Sequence, residues 1–243
     1  MEVSQNLAES YKNQYKSERA EWRNLSAKYK VQNILWLTQD MQFERVLEVG
    51  AGDGSILAWL NQAHFAPNLY ALEISESGLE KIKEKNLANL QEARLFDGYH
   101  IPYPDNFFDL VICSHVLEHV EFERALLREI KRVSRHQVFE VPIDFSFFVD
   151  KKIKHFLSYG HINIYTPALF RFLLLSENFT ILKDRYTLLA GDILQMSYPT
   201  QPLKRWVIRA KQFLLKIFPT LLKIKPNAYS VLTAKTDKEL KIL

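Results

Sequence analysis

Two spacings of apolar residues divide the chain. Up to about residue 40, Leu7, Tyr11 and Tyr15 and then Leu25, Tyr29, Ile34 and Leu37 recur at helical intervals with no glycine or proline between them. This predicts a helical N-terminal arm over residues 1–40. Beyond it the pattern shortens. RVLEVG (45–50), LYALEI (69–74), EARLFD (92–97), DLVICS (109–114) and QVFEVP (137–142) are brief, mostly apolar runs, as buried strands are. Helical patterns separate them, at Ile56, Leu57 and Leu60, at Leu79 to Lys85, and at Leu126, Ile130 and Val133. Strands alternating with helices predict an α/β domain over 41–243, built on a parallel sheet covered on both faces.

The later part of the chain continues the pattern. Thr166-Pro167 is a helix start, with Phe170, Leu173 and Leu174 on the buried side. Residues 179–186 and 228–234 predict two late strands, and between them lies a helical insertion at 200–225. In that insertion Leu203, Trp206, Val207, Ala210, Phe213, Leu214 and Ile217 share one stripe, away from Lys204, Arg205, Arg209 and Lys216, and Pro219 ends or kinks the helix. An apolar stripe is most often core, so packing against the sheet or a dimer partner is the first expectation for 203–218. Peripheral contact with an anionic membrane is the second. Nucleic-acid contact comes last.

Charge sharpens this reading. The chain is +4 overall, but Leu203 to Lys225 holds seven basic residues and no acidic one, so the remainder is net −3 and is no general polyanion binder. No apolar run approaches the ~18–20 residues of a bilayer span. The opening MEVSQNLAESYKNQYK has no apolar core of a secretory signal. Cys113 is the sole cysteine, which excludes a disulfide framework. A cytoplasmic protein, peripheral at the membrane if the basic helix meets lipid, is expected.

The chemistry concentrates at VLEVGAGDGSIL (46–57). Gly50, Gly52 and Gly54 follow the first strand, where glycines allow a sharp turn and close approach of a ligand to bare backbone. The amides opening the next helix favour an anionic group. Glu73 ends the second strand, where a carboxylate can accept both hydroxyl hydrogens of a ribose. Ser55 stands where a dinucleotide G-x-G-x-x-G turn would have its third glycine, which speaks against a nicotinamide cofactor.

VLEVGAGDG, LEIS (72–75) and LFDGYHIPYPDNFFDLVICSHVLEHV (95–120) together resemble the class I S-adenosylmethionine-dependent methyltransferases, in their small-molecule, type 11-like branch. The likeness is good over 46–144 and loose elsewhere. It implies a Rossmann-like α/β fold: a seven-stranded mixed sheet with one reversed late strand, flanked by helices and preceded by the helical arm, which would act as a lid. It also implies S-adenosyl-L-methionine as cofactor. Gly50, Ala51, Gly52 and Gly54 would cradle its methionine part, with Glu48 supporting the turn. Glu73 would bind the ribose and Ile74 would lie against the adenine. Asp97, beside Gly98, would accept from the adenine amino group. Ser114 and His115 would floor the sulfonium. From the residues alone, Asp97 equally suits a turn before Gly98.

The implied reaction is methylation at oxygen or carbon of a small-molecule, glycan or lipid-linked acceptor. Such chemistry can use a base, and His119 and His161 are the catalytic candidates, each also readable as a local structural group. No Asn-Pro-Pro-Tyr or Asp-Pro-Pro-Tyr follows the fourth strand, and Cys113 is not preceded by proline, which argues against the adenine-nitrogen and cytosine-carbon branches. H-E-x-x-H and related spacings are absent, so the spacing predicts no metal site. A catalytically silent cofactor-binding scaffold is the first rival, and a nicotinamide-dependent oxidoreductase the second.

Overall fold

The β-branched and leucine-rich runs become strands β1 (Arg45–Val49), β2 (Asn68–Glu73), β3 (Leu90–Leu95), β4 (Phe108–Ser114), β5 (Ser134–Pro142), β6 (Phe179–Thr187) and β7 (Ala228–Lys235). The intervening amphipathic stretches become α1 (Ala20–Leu37), α2 (Ser55–Gln62), α3 (Glu76–Glu84), α4 (Glu123–Val133) and α5 (Ile153–Ser158), followed by α6 (Pro167–Ser176), α7 (Gly191–Ser197), α8 (Pro202–Ile217) and α9 (Pro219–Ile224). This computed structural model describes residues 20–145 and 149–236. Leu7, Tyr11 and Tyr15 of the expected arm lie outside the described residues. Local chemistry fixes several starts. Ser75 caps α3 through Gly78 N at 3.3 Å, and Thr166 caps α6 through Leu169 N at 3.1 Å with Pro167 at its first position.

All seven strands join one mixed sheet in the order β3-β2-β1-β4-β5-β7-β6. β1 to β5 pair in parallel, and β7 runs antiparallel to both β5 and β6. The chain moves outward from β1 to β3 and then returns to β4 on the other side of β1. The carboxyl ends of β1 and β4 therefore flank a topological switch point, where open α/β sheets take their ligands.

Alternation along each strand feeds two cores. Leu47, Val49 and Val111 point to one face, with Phe139, Ile130 and Phe170. Val46, Leu110 and Ile112 point to the other, with Leu57, Leu60 and Ile82. Helix α1 joins this second core through Ala27, Val31, Ile34 and Leu37. Tyr29 and Trp22 lie off that buried side. Tyr29 Oη donates to Asp192 Oδ2 of α7 at 2.6 Å, and Trp22 Nε1 donates to Ser197 Oγ at 3.4 Å.

Helix α8 departs from expectation. Of the two packings expected for its apolar stripe, that against the sheet is not made: Leu203, Trp206 and Phe213 are 74%, 68% and 64% exposed, and Val207, Leu214 and Ile217 are exposed too. The opposite side faces the body: Leu215 is buried, Gln212 Nε2 donates to Leu189 O at 2.9 Å, and Arg205 Nη1 donates to the Tyr198 and Pro199 carbonyls. Directional hydrogen bonds to the neighbouring loop backbone set the helix's rotation, and period alone carries no information about them. Pro219 opens α9, which leaves Leu221 and Ile224 exposed as well.

Candidate cofactor and acceptor site

At the end of β1 the chain turns through Gly50, Gly52 and Gly54, all with positive φ. A Cβ on Gly50 would lie 2.5 Å from Val116 Cγ2, so this position needs glycine for space as well as for conformation. Asp53 closes the turn: its Oδ1 accepts from Ser55 N and Oγ at the start of α2, and its Oδ2 accepts from Arg23 Nε of α1 at 2.6 Å. Glu73 ends β2 beside the turn, buried, with Oε2 accepting from Gly52 N at 2.7 Å and Oε1 from Ser75 N at 3.0 Å. Burial raises its pKa, against the lowering effect of those amides. Ile74 is half-buried next to it, and Ala51 is buried on the turn. Asp97 is exposed and its Oδ1 accepts from Tyr99 N at 2.8 Å and His100 N at 2.6 Å, so it does shape the turn around buried Gly98.

A second polar group fills the carboxyl ends of β4 and β5. His115 has φ of 57° and sits between two buried carboxylates, with Nδ1 3.3 Å from Glu118 Oε1 and Nε2 3.3 Å from Glu140 Oε1. Glu140 also accepts from Asn33 Nδ2 at 2.7 Å and Ser230 Oγ at 2.5 Å. Burial pushes the Glu140 carboxyl up, but its hydrogen bonds and the His115 and Lys30 charges outweigh this and hold it at about 2. Burial and Lys30 push His115 down, and the two carboxylates reverse that into a net rise. Burial lowers Lys30, against the pull of Glu140, Glu118, Glu48 and Asp53. Glu48, buried on β1 and facing the α1 side, is pushed well up by desolvation, against the lowering pull of Lys30.

His119 and His161 meet here although they come from separate loops. Their rings pack edge to face with centroids 4.8 Å apart. His119 Nδ1 donates to the Gly160 carbonyl at 2.9 Å, and His161 Nδ1 donates to Asp144 Oδ2 at 2.6 Å. Burial lowers the pKa of His119 despite Glu118 nearby.

Beside His115 and Glu140 lies a cavity of about 580 Å³. Lys30 and Asn33 of α1, His115, Glu140, the 187–191 loop and Gln212 of α8 line it, with α1 as its roof.

Residues 47–138 match the family model described as a methyltransferase domain. The chain is 29% identical over 119 residues to the putative methyltransferase YrhH of Bacillus subtilis, covering 46% of this chain and 66% of that protein. It is 32% identical over 94 residues to the ubiquinone/menaquinone biosynthesis C-methyltransferase UbiE of Cupriavidus pinatubonensis, covering 37% and 38%. Among solved structures it is similar to magnesium protoporphyrin IX methyltransferase from Synechocystis PCC 6803 with bound SAH, at 16% identity and a TM-score of 0.58, covering 89% and 84%. Over residues 47–138 the chain matches a methyltransferase domain, and its fold is the one that S-adenosylmethionine-dependent methyltransferases share. It spans from about two fifths to two thirds of the curated relatives' own lengths.

The family's cofactor is S-adenosylmethionine, and the methyltransferase domain fits it on its own geometry. Ser114 Oγ at the end of β4 and Glu48 Oε2 at β1 are buried without a hydrogen-bond partner, polar atoms of the kind a bound polar ligand or water satisfies. The glycine turn offers bare backbone beside them. Sequence reasoning did not single out Arg23, Lys30, Asn33, Asp53, Glu118, Glu140 or Asp144. Of these, Glu118 stands inside the quoted VLEHV motif, and Asp53 inside the glycine turn. Lys30 and Asn33 carry no local signal, because only the packing of α1 brings them to the site.

Proposed function

We propose that this chain methylates an oxygen or carbon of a small-molecule, glycan or lipid-linked acceptor. The observation that carries the reading is the contact between Gly52 N and Glu73 Oε2, which joins the glycine turn to the acid of β2 at the switch point. Gly50, Ala51, Gly52 and Gly54 hold the methionine part of the cofactor, with Glu48 beneath the turn. Glu73 takes the ribose, Ile74 and Gly98 flank the adenine, and Asp97 accepts from its amino group. Ser114 and His115 floor the reacting end. When bound, the cofactor supplies a sulfonium methyl carbon open to in-line attack. The chain's task is then alignment, worth roughly 7–11 kcal/mol of barrier. The cavity lined by His115 and Glu140 receives the acceptor. His119 and His161 serve the removal of an acceptor proton.

The exposed, basic α8–α9 surface supports an acceptor presented at an anionic lipid surface. Trp206, Phe213 and Phe218 offer apolar insertion, while Lys204, Arg209 and Lys216 offer charge. No helix among the described residues is long and apolar enough to cross a membrane, so the contact would be peripheral.

Calorimetry with S-adenosylhomocysteine tests the enzyme reading: micromolar binding is expected, on the order of −8 kcal/mol. Absence of binding would overturn it. Sedimentation with phosphatidylglycerol vesicles tests the lipid reading. Pelleting that is lost in Trp206→Asp/Phe213→Asp supports it, and recovery in the supernatant at low salt overturns it.

A further inference from the structure

Glu118 is 1% exposed, and neither of its carboxylate oxygens makes a hydrogen bond. A buried carboxylate is normally saturated with donors, since its desolvation is costly otherwise. At ion-pair range lie two ring nitrogens, His115 Nδ1 at 3.3 Å and His119 Nε2 at 3.9 Å. One ligating atom each from Glu118, His119 and His161 falls within 4.8 Å of the others.

The two rings are held as metal-binding imidazoles are held. Each gives its Nδ1 hydrogen to an outer acceptor, His119 to the Gly160 carbonyl and His161 to the Asp144 carboxylate. That arrangement fixes the tautomer and orientation and makes Nε2 the electron-pair donor. We infer that Glu118, His119 and His161 form a three-ligand site for a divalent transition-metal ion of the zinc class, with a position left open for an acceptor oxygen or water. Two imidazoles and one carboxylate are the donor set that such borderline ions take. Bonds of about 2.0–2.2 Å need ligand atoms about 3.3 Å apart, so the side chains close by roughly an ångström on binding.

The spacing argument of the sequence could not find this site. Glu118 and His119 sit on the 3-10 turn after β4 (Leu117–His119), whereas His161 and its Asp144 partner lie in the segment after β5. Backbone contacts bind the two segments: Ile162 N and Asn163 N both donate to Glu118 O, at 2.9 and 3.0 Å. The site itself stands independently of the methyl-transfer reading, but its use rests on that reading. With a cation bound, His119 and His161 would be its ligands and not bases: the cation would polarise an acceptor hydroxyl, whose proton leaves to water before the oxygen attacks carbon.

The test is calorimetric titration of the full chain with Zn²⁺, and Co²⁺ titration followed by its visible absorption. One equivalent is expected to bind, with Co²⁺ bands of a tetrahedral or five-coordinate nitrogen–oxygen site. Glu118→Gln, His119→Ala and His161→Ala should each weaken Zn²⁺ at least tenfold, while Asp144→Asn weakens it less. Thermal melts confirm that each variant is folded. If Glu118→Gln fails to fold, His161→Ala takes its place, since that ring is less buried than the Glu118 carboxylate. No Zn²⁺ binding by the wild-type chain, or equal affinity in the folded His161→Ala and His119→Ala variants, overturns the inference. S-adenosylhomocysteine binding measured on the same sample separates the two readings. If it persists without Zn²⁺ binding, the metal site fails alone; if it is absent while Zn²⁺ binds, the methyltransferase reading fails alone.

Discussion

The amide of Gly52 donates to Glu73 Oε2 at 2.7 Å, so the acid ending β2 braces the glycine turn that ends β1. A single carboxylate thus shapes the cofactor cradle and, in the proposed function, also meets the ribose. Glu73→Ala should lower S-adenosylhomocysteine affinity more than tenfold, or over about 1.4 kcal/mol. Glu73→Gln keeps acceptor capacity on one atom and should lose less. Calorimetry on both variants checks the order, and equal binding by wild type and Glu73→Ala would contradict the assignment.

Gly50 packs against Val116 so closely that a methyl group there would sit 2.5 Å from Val116 Cγ2. Its φ of 69° adds a penalty of about 1–2 kcal/mol for an L-residue. Gly50→Ala should therefore destabilise by about 2–4 kcal/mol once overpacking is included. Val116→Ala removes the obstructing methyl groups, so the double variant should recover part of the loss. Denaturant unfolding of the two single variants and the double variant measures the coupling.

Glu140, held at about 2 by its hydrogen bonds and neighbouring cations against the cost of burial, ties stability to pH. Its folded pKa lies below the ordinary carboxylate value, so the unfolded chain takes up the proton first. The stabilisation is complete above the ordinary range and disappears as pH falls toward about 2. Glu140→Gln should flatten that acid limb while lowering stability at neutral pH. Unfolding free energies between pH 2 and 7 provide the check, and parallel curves would refute it.

Two sides of α8 should respond differently to truncation. Trp206→Ser and Phe213→Ser remove exposed groups, and each should change stability by no more than about 0.5 kcal/mol. Leu215→Ala hollows the buried side and should cost about 2–3 kcal/mol. Urea midpoints decide this, and a large loss at Trp206 would mean that the stripe is packed in solution.

Arg23 clasps Asp53 at 2.6 Å, linking the roof helix to the turn below it. Arg23→Gln should weaken that clasp and speed hydrogen exchange in α1, with a few-fold loss of cofactor affinity. Unchanged exchange would show that the helix is held by its apolar contacts and its other hydrogen bonds without this ion pair.

Much of this protein follows from local pattern. Strands such as β4 and β5 were legible because a buried parallel strand must be apolar on both faces, and Gly50, Gly52 and Glu73 because backbone sterics and ribose chemistry restrict what can stand there. Local pattern also marked His119 and His161 singly. It could not bring them together, since ring contact depends on two loops meeting over the sheet, nor could it place Lys30 and Asn33 beside Glu140. The rotation of α8 was equally beyond it. An amphipathic period states that a helix has two faces, and only the hydrogen bonds of Arg205 and Gln212 to neighbouring backbone decide which face turns inward.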